Sequence, residues 1–181
     1  MALSETLDRL GVGLARRNVG INDTASKGAK GTKPMTDARS YPGRPFLAVS
    51  AAIVRGGKIL VVRRARAPAN GLMTLPGGVV EVGETLKQAV AREVREETGL
   101  EIEPVGLAGF RETIVRDGDD RVERHFVILC FAAHWRAGEP VLNEELSEAR
   151  WLDPAEIAGL PTTPGLAEIV AAAFARLEQA E

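Results

Sequence analysis

Gly78-Val79-Val80-Glu81-Val82-Gly83-Glu84-Thr85-Leu86-Lys87-Gln88-Ala89-Val90-Ala91-Arg92-Glu93-Val94-Arg95-Glu96-Glu97-Thr98-Gly99-Leu100 is the stretch on which the fold turns. From about Thr85 to Thr98 it predicts a helix, and Gly99 suits the position just past a helix end, where a left-handed backbone costs a glycine little. At 100° per residue, with Glu93 set at 0°, Glu97 lies near 40° and Glu96 near −60°. Leu86, Ala89, Val90 and Val94 fall on the same side. The three carboxylates therefore prolong the apolar stripe, and Lys87 and Arg95 lie toward the other side.

That arrangement opposes helix stability. Glu93 and Glu97 form a like-charge i,i+4 pair, and all three acids sit in the last turns, where the macrodipole disfavours anions. Burial raises the cost further. A divalent cation reverses the balance, and hard oxygen donors suit Mg²⁺ or Mn²⁺. The competing reading is a solvated acidic helix end, neutralised by Arg92 and Arg95. Upstream, Gly77-Gly78 allows a backbone to approach a ligand closely. Glu84 stands at the helix start, where its charge favours the dipole.

Outward from this stretch, Phe46–Val54 and Ile59–Arg64 read as strands joined by the turn Arg55-Gly56-Gly57-Lys58. A loop from Ala65 to Gly71, a short segment Leu72–Leu75 and a Pro76-Gly77-Gly78 turn lead into the helix. Beyond it, Ile102–Val115 reads as one or two strands, Asp117–Asp120 as a turn, and Val122–Trp135 as a long strand. Leu142–Glu148 reads as loop, Arg150-Trp151-Leu152 as a short strand, and Asp153–Glu156 as the start of a short helix with proline first. A last helix from about Gly165 carries the stripe Leu166, Ile169, Val170, Ala173, Phe174 and Leu177.

Residues 1–44 are different in kind. Scattered glycine, serine and charge predict a tail or linker there, with a short helix near Leu3–Leu14 as an option, because leucines recur at helical spacing. Met35 offers an alternative natural start, which makes the upstream residues an extension. The domain proper is then 45–181.

Composition narrows the class of function. The chain has 181 residues, is 45% hydrophobic and carries a formal net charge of −2, so no global basic field points to nucleic acid. The single cysteine, Cys130, sits in an apolar run, which excludes an intrachain disulfide and reads as a small core residue. No apolar run approaches the ~18 residues of a membrane helix, and no secretory signal is visible. Together these fit a cytoplasmic protein.

Residues 78–100 resemble the Nudix box at every fixed position: Gly78, Glu84, Arg92-Glu93, Val94, Glu96-Glu97, Gly99 and Leu100. The likeness of the flanking elements extends over about residues 45–180. The resemblance implies an α/β/α sandwich around a mixed β-sheet. It also implies hydrolysis of nucleoside diphosphates linked to another moiety. By position, Glu93, Glu96 and Glu97 are expected to hold Mg²⁺ or Mn²⁺ or its water, Glu84 to support the metal cluster, and Arg92 to orient the glutamates. Gly77 or Gly78 is expected to offer a carbonyl. The general base is expected within the box or in a later stretch holding Glu144, Glu145 and Glu148.

Arg63, Arg64 and Arg66 are candidates to clamp phosphate, Arg64 and Arg66 foremost. Trp135 and Trp151 read as core or edge aromatics, with base stacking as the sharper alternative; His125 and His134 read as structural. Relatives carry tryptophan where this chain has Met73, which weakens a stacking role there. The expected substrate is ADP-ribose or a similar sugar nucleotide. The alternatives are a modified nucleoside triphosphate and a catalytically silent nucleotide sensor. A homodimer is expected from family habit.

Overall fold

The computed structural model describes residues 39–67 and 69–180, within the second of the two units, Thr36–Glu181, into which the chain divides. The expected helix at Leu3–Leu14, the start at Met35 and most of the tail lie outside the described residues.

Seven strands form one mixed sheet: β1 (Phe46–Arg55), β2 (Lys58–Arg64), β3 (Met73–Thr74), β4 (Gly77–Val79), β5 (Glu101–Arg116), β6 (Val122–Ala137) and β7 (Leu146–Leu152). The main path runs β3-β2-β1-β6-β5, with β4 on β1 and β7 on β2. Only β1 and β6 pair in parallel; the other named pairs are antiparallel. Two helices, α1 (Leu86–Thr98) and α2 (Leu166–Glu178), and a 3₁₀ turn over Pro154–Gly159 complete the described elements.

Strand alternation divides the core in two. Val49, Ala51 and Ile53 of β1, with Leu60 and Val62 of β2, face Ala89, Val90 and Val94 of α1. Ala52, Ile59 and Val61 point the other way, into Leu166, Ile169, Val170, Ala173 and Leu177 of α2. Cys130 is buried on the α2 side. One helix thus covers each face of a central sheet whose β1 and β2 are buried on both, which is the expected α/β/α layering.

Two local readings change. Gly77 and Gly78 of the expected Pro76-Gly77-Gly78 turn instead open β4, because Ala48, Val49 and Ser50 of β1 pair with Val79, Gly78 and Gly77. The end of the expected loop Leu142–Glu148 belongs to β7, where Glu148 pairs with Arg63. Of the one or two strands read over Ile102–Val115, the structure has one, β5, with register shifts along its pairing to β6. Within the segment read as tail, the Tyr41 N–H donates to Glu123 O at 2.8 Å, and its hydroxyl donates to Asp117 at 3.0 Å.

Candidate active site

Helix α1 begins at Thr85, whose hydroxyl accepts from the Gln88 N–H while the Gln88 side chain reaches back to the Thr85 N–H. This reciprocal cap fixes the helix start. The helix ends at Gly99, with φ 69° and its N–H on Arg95 O. The last carbonyls are not left bare: Val141 N–H donates to Thr98 O, Asn143 N–H to Glu97 O, and Asn143 Nδ2 to Glu96 O. The loop leading into β7 is thereby fastened to the acidic end of α1.

Glu97 is buried, 4% exposed, and its Oε2 accepts the Gly77 N–H at 2.8 Å. Burial pushes its pKa to about 7; the Gly77 hydrogen bond and the charge of Arg64 oppose that shift without cancelling it. Glu93 is nearly as enclosed, with its side chain 14% exposed, and burial raises its pKa against the pull of Arg92. A Cβ added at Gly78 would lie 2.3 Å from Glu93 Oε2, so the absence of a side chain at residue 78 makes room for that carboxylate. At Gly77, where φ is 151°, a Cβ would meet Val49 O at 2.1 Å.

Arg92 holds the remaining acids. Its Nε and Nη2 donate to the two oxygens of Glu84 at 3.0 and 2.7 Å, and Nη1 donates to Glu93 at 2.9 Å and Glu96 at 3.2 Å. Nη2 also donates to Val79 O at 3.1 Å, which ties the helix to β4. The paired hydrogen bonds to Glu84 raise the Arg92 pKa and lower that of Glu84, which takes a further hydrogen bond from the Glu81 N–H. Glu93 shifts the opposite way although it shares Arg92, because a single hydrogen bond does not offset its burial.

The helical wheel placed all three acids inward. Glu97 and Glu93 are there, but the Glu96 side chain is 57% exposed. A 100° wheel gives direction only; Glu96 lies at the edge of the stripe, where α1 faces solvent and not the sheet.

The arginines at the end of β2 and in the loop after it separate by role. Arg63 donates to Glu148 at 2.7 Å and to Gly71 O at 2.8 Å, and so pins the loop before β3 to β7. Arg66 pairs with Glu144 at the surface, 2.7 Å. Arg64 is half-buried, and its Nε is buried with no hydrogen-bond partner. Trp135 and Trp151 lie away from the acids, at the β1–β2 turn. The Arg55 guanidinium sits 4.2 Å from the Trp135 ring centre and 5.7 Å from that of Trp151. An open recess there, lined by Arg55, Gly56, Lys58, Glu139 and Trp151, contains no box residue. Met73 is fully buried core, His125 pairs with Glu112 at 3.0 Å, and His134 sits on β6 opposite Glu103.

A divalent cation suits the acids by donor chemistry: two enclosed carboxylates whose charge is penalised, beside main-chain carbonyls of β4. Among the described residues no three acidic, histidine or cysteine side chains converge as a ready cation cluster, since Arg92 engages three of the glutamates and Gly77 the fourth. An ion held by these acids would exchange part of the Arg92 pairing for coordination.

Asn143 escaped the sequence reading as a partner of the site; it acts on main-chain carbonyls, a role no residue type signals in advance. Gly77, expected to offer a carbonyl, here donates its N–H to Glu97.

A family model described as the NUDIX domain matches residues 44–173. The chain is 37% identical over 110 residues to the ADP-ribose pyrophosphatase of Methanocaldococcus jannaschii, a match that covers 60% of this chain and 62% of that protein. It thus spans less than two thirds of the length of that relative. It is 34% identical over 120 residues to a putative 8-oxo-dGTP diphosphatase 2 of Mycobacterium tuberculosis, with 65% of this chain and 80% of that protein covered. Among solved structures, a MutT NUDIX hydrolase from Burkholderia pseudomallei superposes with a TM-score of 0.62 at 30% identity, covering 71% of this chain and 97% of that one. No helix among the described residues is long and apolar enough to cross a membrane.

Proposed function

The chain belongs to the Nudix family, and from that premise we propose that it is a Mg²⁺- or Mn²⁺-dependent pyrophosphohydrolase acting on a nucleoside diphosphate linked to another moiety, ADP-ribose or a similar sugar nucleotide foremost. The observation that carries the reading is Glu97, a carboxylate in the last turn of α1 that is 4% exposed and held on the Gly77 N–H. Burial and the helix dipole both disfavour its charge. A cation is the partner that makes such a placement favourable.

In this reading Glu93 and Glu97 hold the ion, with Glu96 at the solvent edge and a carbonyl of Gly78 completing the protein's share. Glu84 and Arg92 are positioning residues: Arg92 spans Glu84, Glu93, Glu96 and the β4 backbone, and keeps the acids in register. When bound, a cation would supply charge neutralisation for the diphosphate and make a nearby water more acidic. A box carboxylate accepts the proton of the attacking water; Glu148, held across β2 by Arg63, is the second candidate for that role. Arg64 is half-buried and its charge acts on Glu97, and a guanidinium in that place is suited to a phosphate oxygen. Arg66, on the exposed Glu144 pair, exchanges partners at little cost.

The name of the archaeal relative favours a sugar nucleotide, and that of the mycobacterial one favours a modified nucleoside triphosphate. A substrate panel with Mg²⁺ and Mn²⁺ separates them. AMP with ribose phosphate is the expected product pair; release of inorganic pyrophosphate selects the triphosphate reading. Binding without turnover across the panel replaces both with a nucleotide sensor.

A further inference from the structure

We propose that the free edge of β5 pairs with the same edge of a second copy of this chain, antiparallel about a two-fold axis at Ile114. Strand β5 ends the main path of the sheet, and among the described residues it pairs only with β6. It is 16 residues long, and its second half contains no proline to remove a main-chain donor. Long edges of this kind are templates for another strand.

The two faces of that half differ. One carries Gly109, which meets Ile169 of α2, and Arg111, which donates to Thr163 at 3.0 Å. The other carries Phe110, Glu112, Ile114 and Arg116, all exposed, with Phe110 69% and Ile114 47% accessible. Two large apolar residues therefore alternate with two charges of opposite sign along one open edge.

The order of those charges selects a register. With Ile114 opposite Ile114 of the second copy, Glu112 of each chain stands opposite Arg116 of the other. Each favourable pair then occurs twice, as a two-fold interface requires. A shift that centres the axis on Glu112 or on Arg116 sets a charge against its own copy, which is destabilising. An axis at Thr113 sets each charge opposite an apolar residue. Within the monomer Glu112 pairs with His125 at 3.0 Å, and Arg116 donates to Asp120 O at 2.8 Å and lies 3.7 Å from its carboxylate. The Glu112 and Arg116 side chains are 55% and 51% exposed, so either can change partner without unburying anything. Main-chain pairing supplies affinity, and the side-chain row supplies specificity.

Sedimentation of the full chain at micromolar concentration tests this. The expected mass is twice that of one chain. Glu112→Arg and Arg116→Glu should each weaken the dimer by on the order of 10²-fold, because each opposes like charges twice across the axis. The doubly exchanged variant, Glu112→Arg with Arg116→Glu, should return to within about tenfold of the parent, since the pairing is restored with its sign reversed. Circular dichroism establishes that every variant is folded. A chain that stays monomeric overturns the proposal. So does a dimer indifferent to both single substitutions, or a double variant that fails to recover.

Discussion

Replacing Glu97 by glutamine removes one charge and leaves the shape and the acceptor for the Gly77 N–H in place. In the metal-free protein the Glu97 pKa is about 7 against an ordinary 4.5, with burial as the main cause. The folded state therefore holds a proton that the unfolded chain has already released. Stability contributed by this group is present at low pH and is lost as pH rises from the unfolded value through the folded one. That interval is worth about 3 kcal/mol at 25 °C. The glutamine amide loses part of the gain, because a buried NH₂ group without a partner costs about 1 kcal/mol. Glu97→Gln in chelator should then be more stable than the parent by about 2 kcal/mol near pH 8, and level or slightly less stable near pH 5. Denaturant titrations at both pH values measure this directly. With Mg²⁺ restored, turnover of the same variant should fall by on the order of 10²-fold or more. An unchanged stability difference at the two pH values would refute the buried-charge argument. Near-normal turnover in both Glu97→Gln and Glu93→Gln, at saturating and limiting Mg²⁺, would sink the metal-site assignment.

Adjacent glycines give a contrasting pair. Gly78→Ala sets a methyl against the mobile end of Glu93, so the fold should survive with a small change in melting temperature while Mg²⁺-dependent turnover drops at least ~10-fold. Gly77→Ala meets the β1 backbone and a left-handed φ, so it should lower stability by roughly 2 kcal/mol or more in a melting experiment. Asp117 accepts from the Asp119 and Arg121 main chain, the Arg121 side chain and the Tyr41 hydroxyl, and these hold its pKa near 2 despite some burial. Its stabilising contribution is present above the ordinary value of 3.8 and is lost as pH falls through about 2; Asp117→Asn should therefore flatten acid unfolding in that window, and an unchanged acid limb would refute it. A chain beginning at Met35 retains Tyr41 and its hydrogen bonds and should keep the parent's melting midpoint and turnover; loss of either places the upstream residues in the domain or its assembly.

Much of the fold was legible because periodicity is a local property. The apolar runs of Phe46–Val54 and Ile59–Val62, the Thr85 start and Gly99 end of α1, and the stripe from Leu166 to Leu177 each state their structure within a few residues. The identity and spacing of the box acids were likewise fixed in the chain. What sequence could not settle was what each acid meets. Glu93, Glu96 and Glu97 are one residue type in neighbouring turns, yet Glu96 is turned outward and Glu93 is enclosed, both on Arg92, while Glu97 is buried on a main-chain N–H. That difference arises because β4 adds to β1 and brings Gly77 and Gly78 beneath the helix, a pairing between segments distant in sequence. Leu146-Ser147-Glu148 became strand for the same reason: β2 offered an edge, and the hydrogen bonds of a ladder belong to two segments at once. The sequence alone determined the two helices, the long strands and the charges they carry; the packing of α1 against β4 decided which of those charges are desolvated, because solvent exposure is a property of neighbours and not of the residue itself.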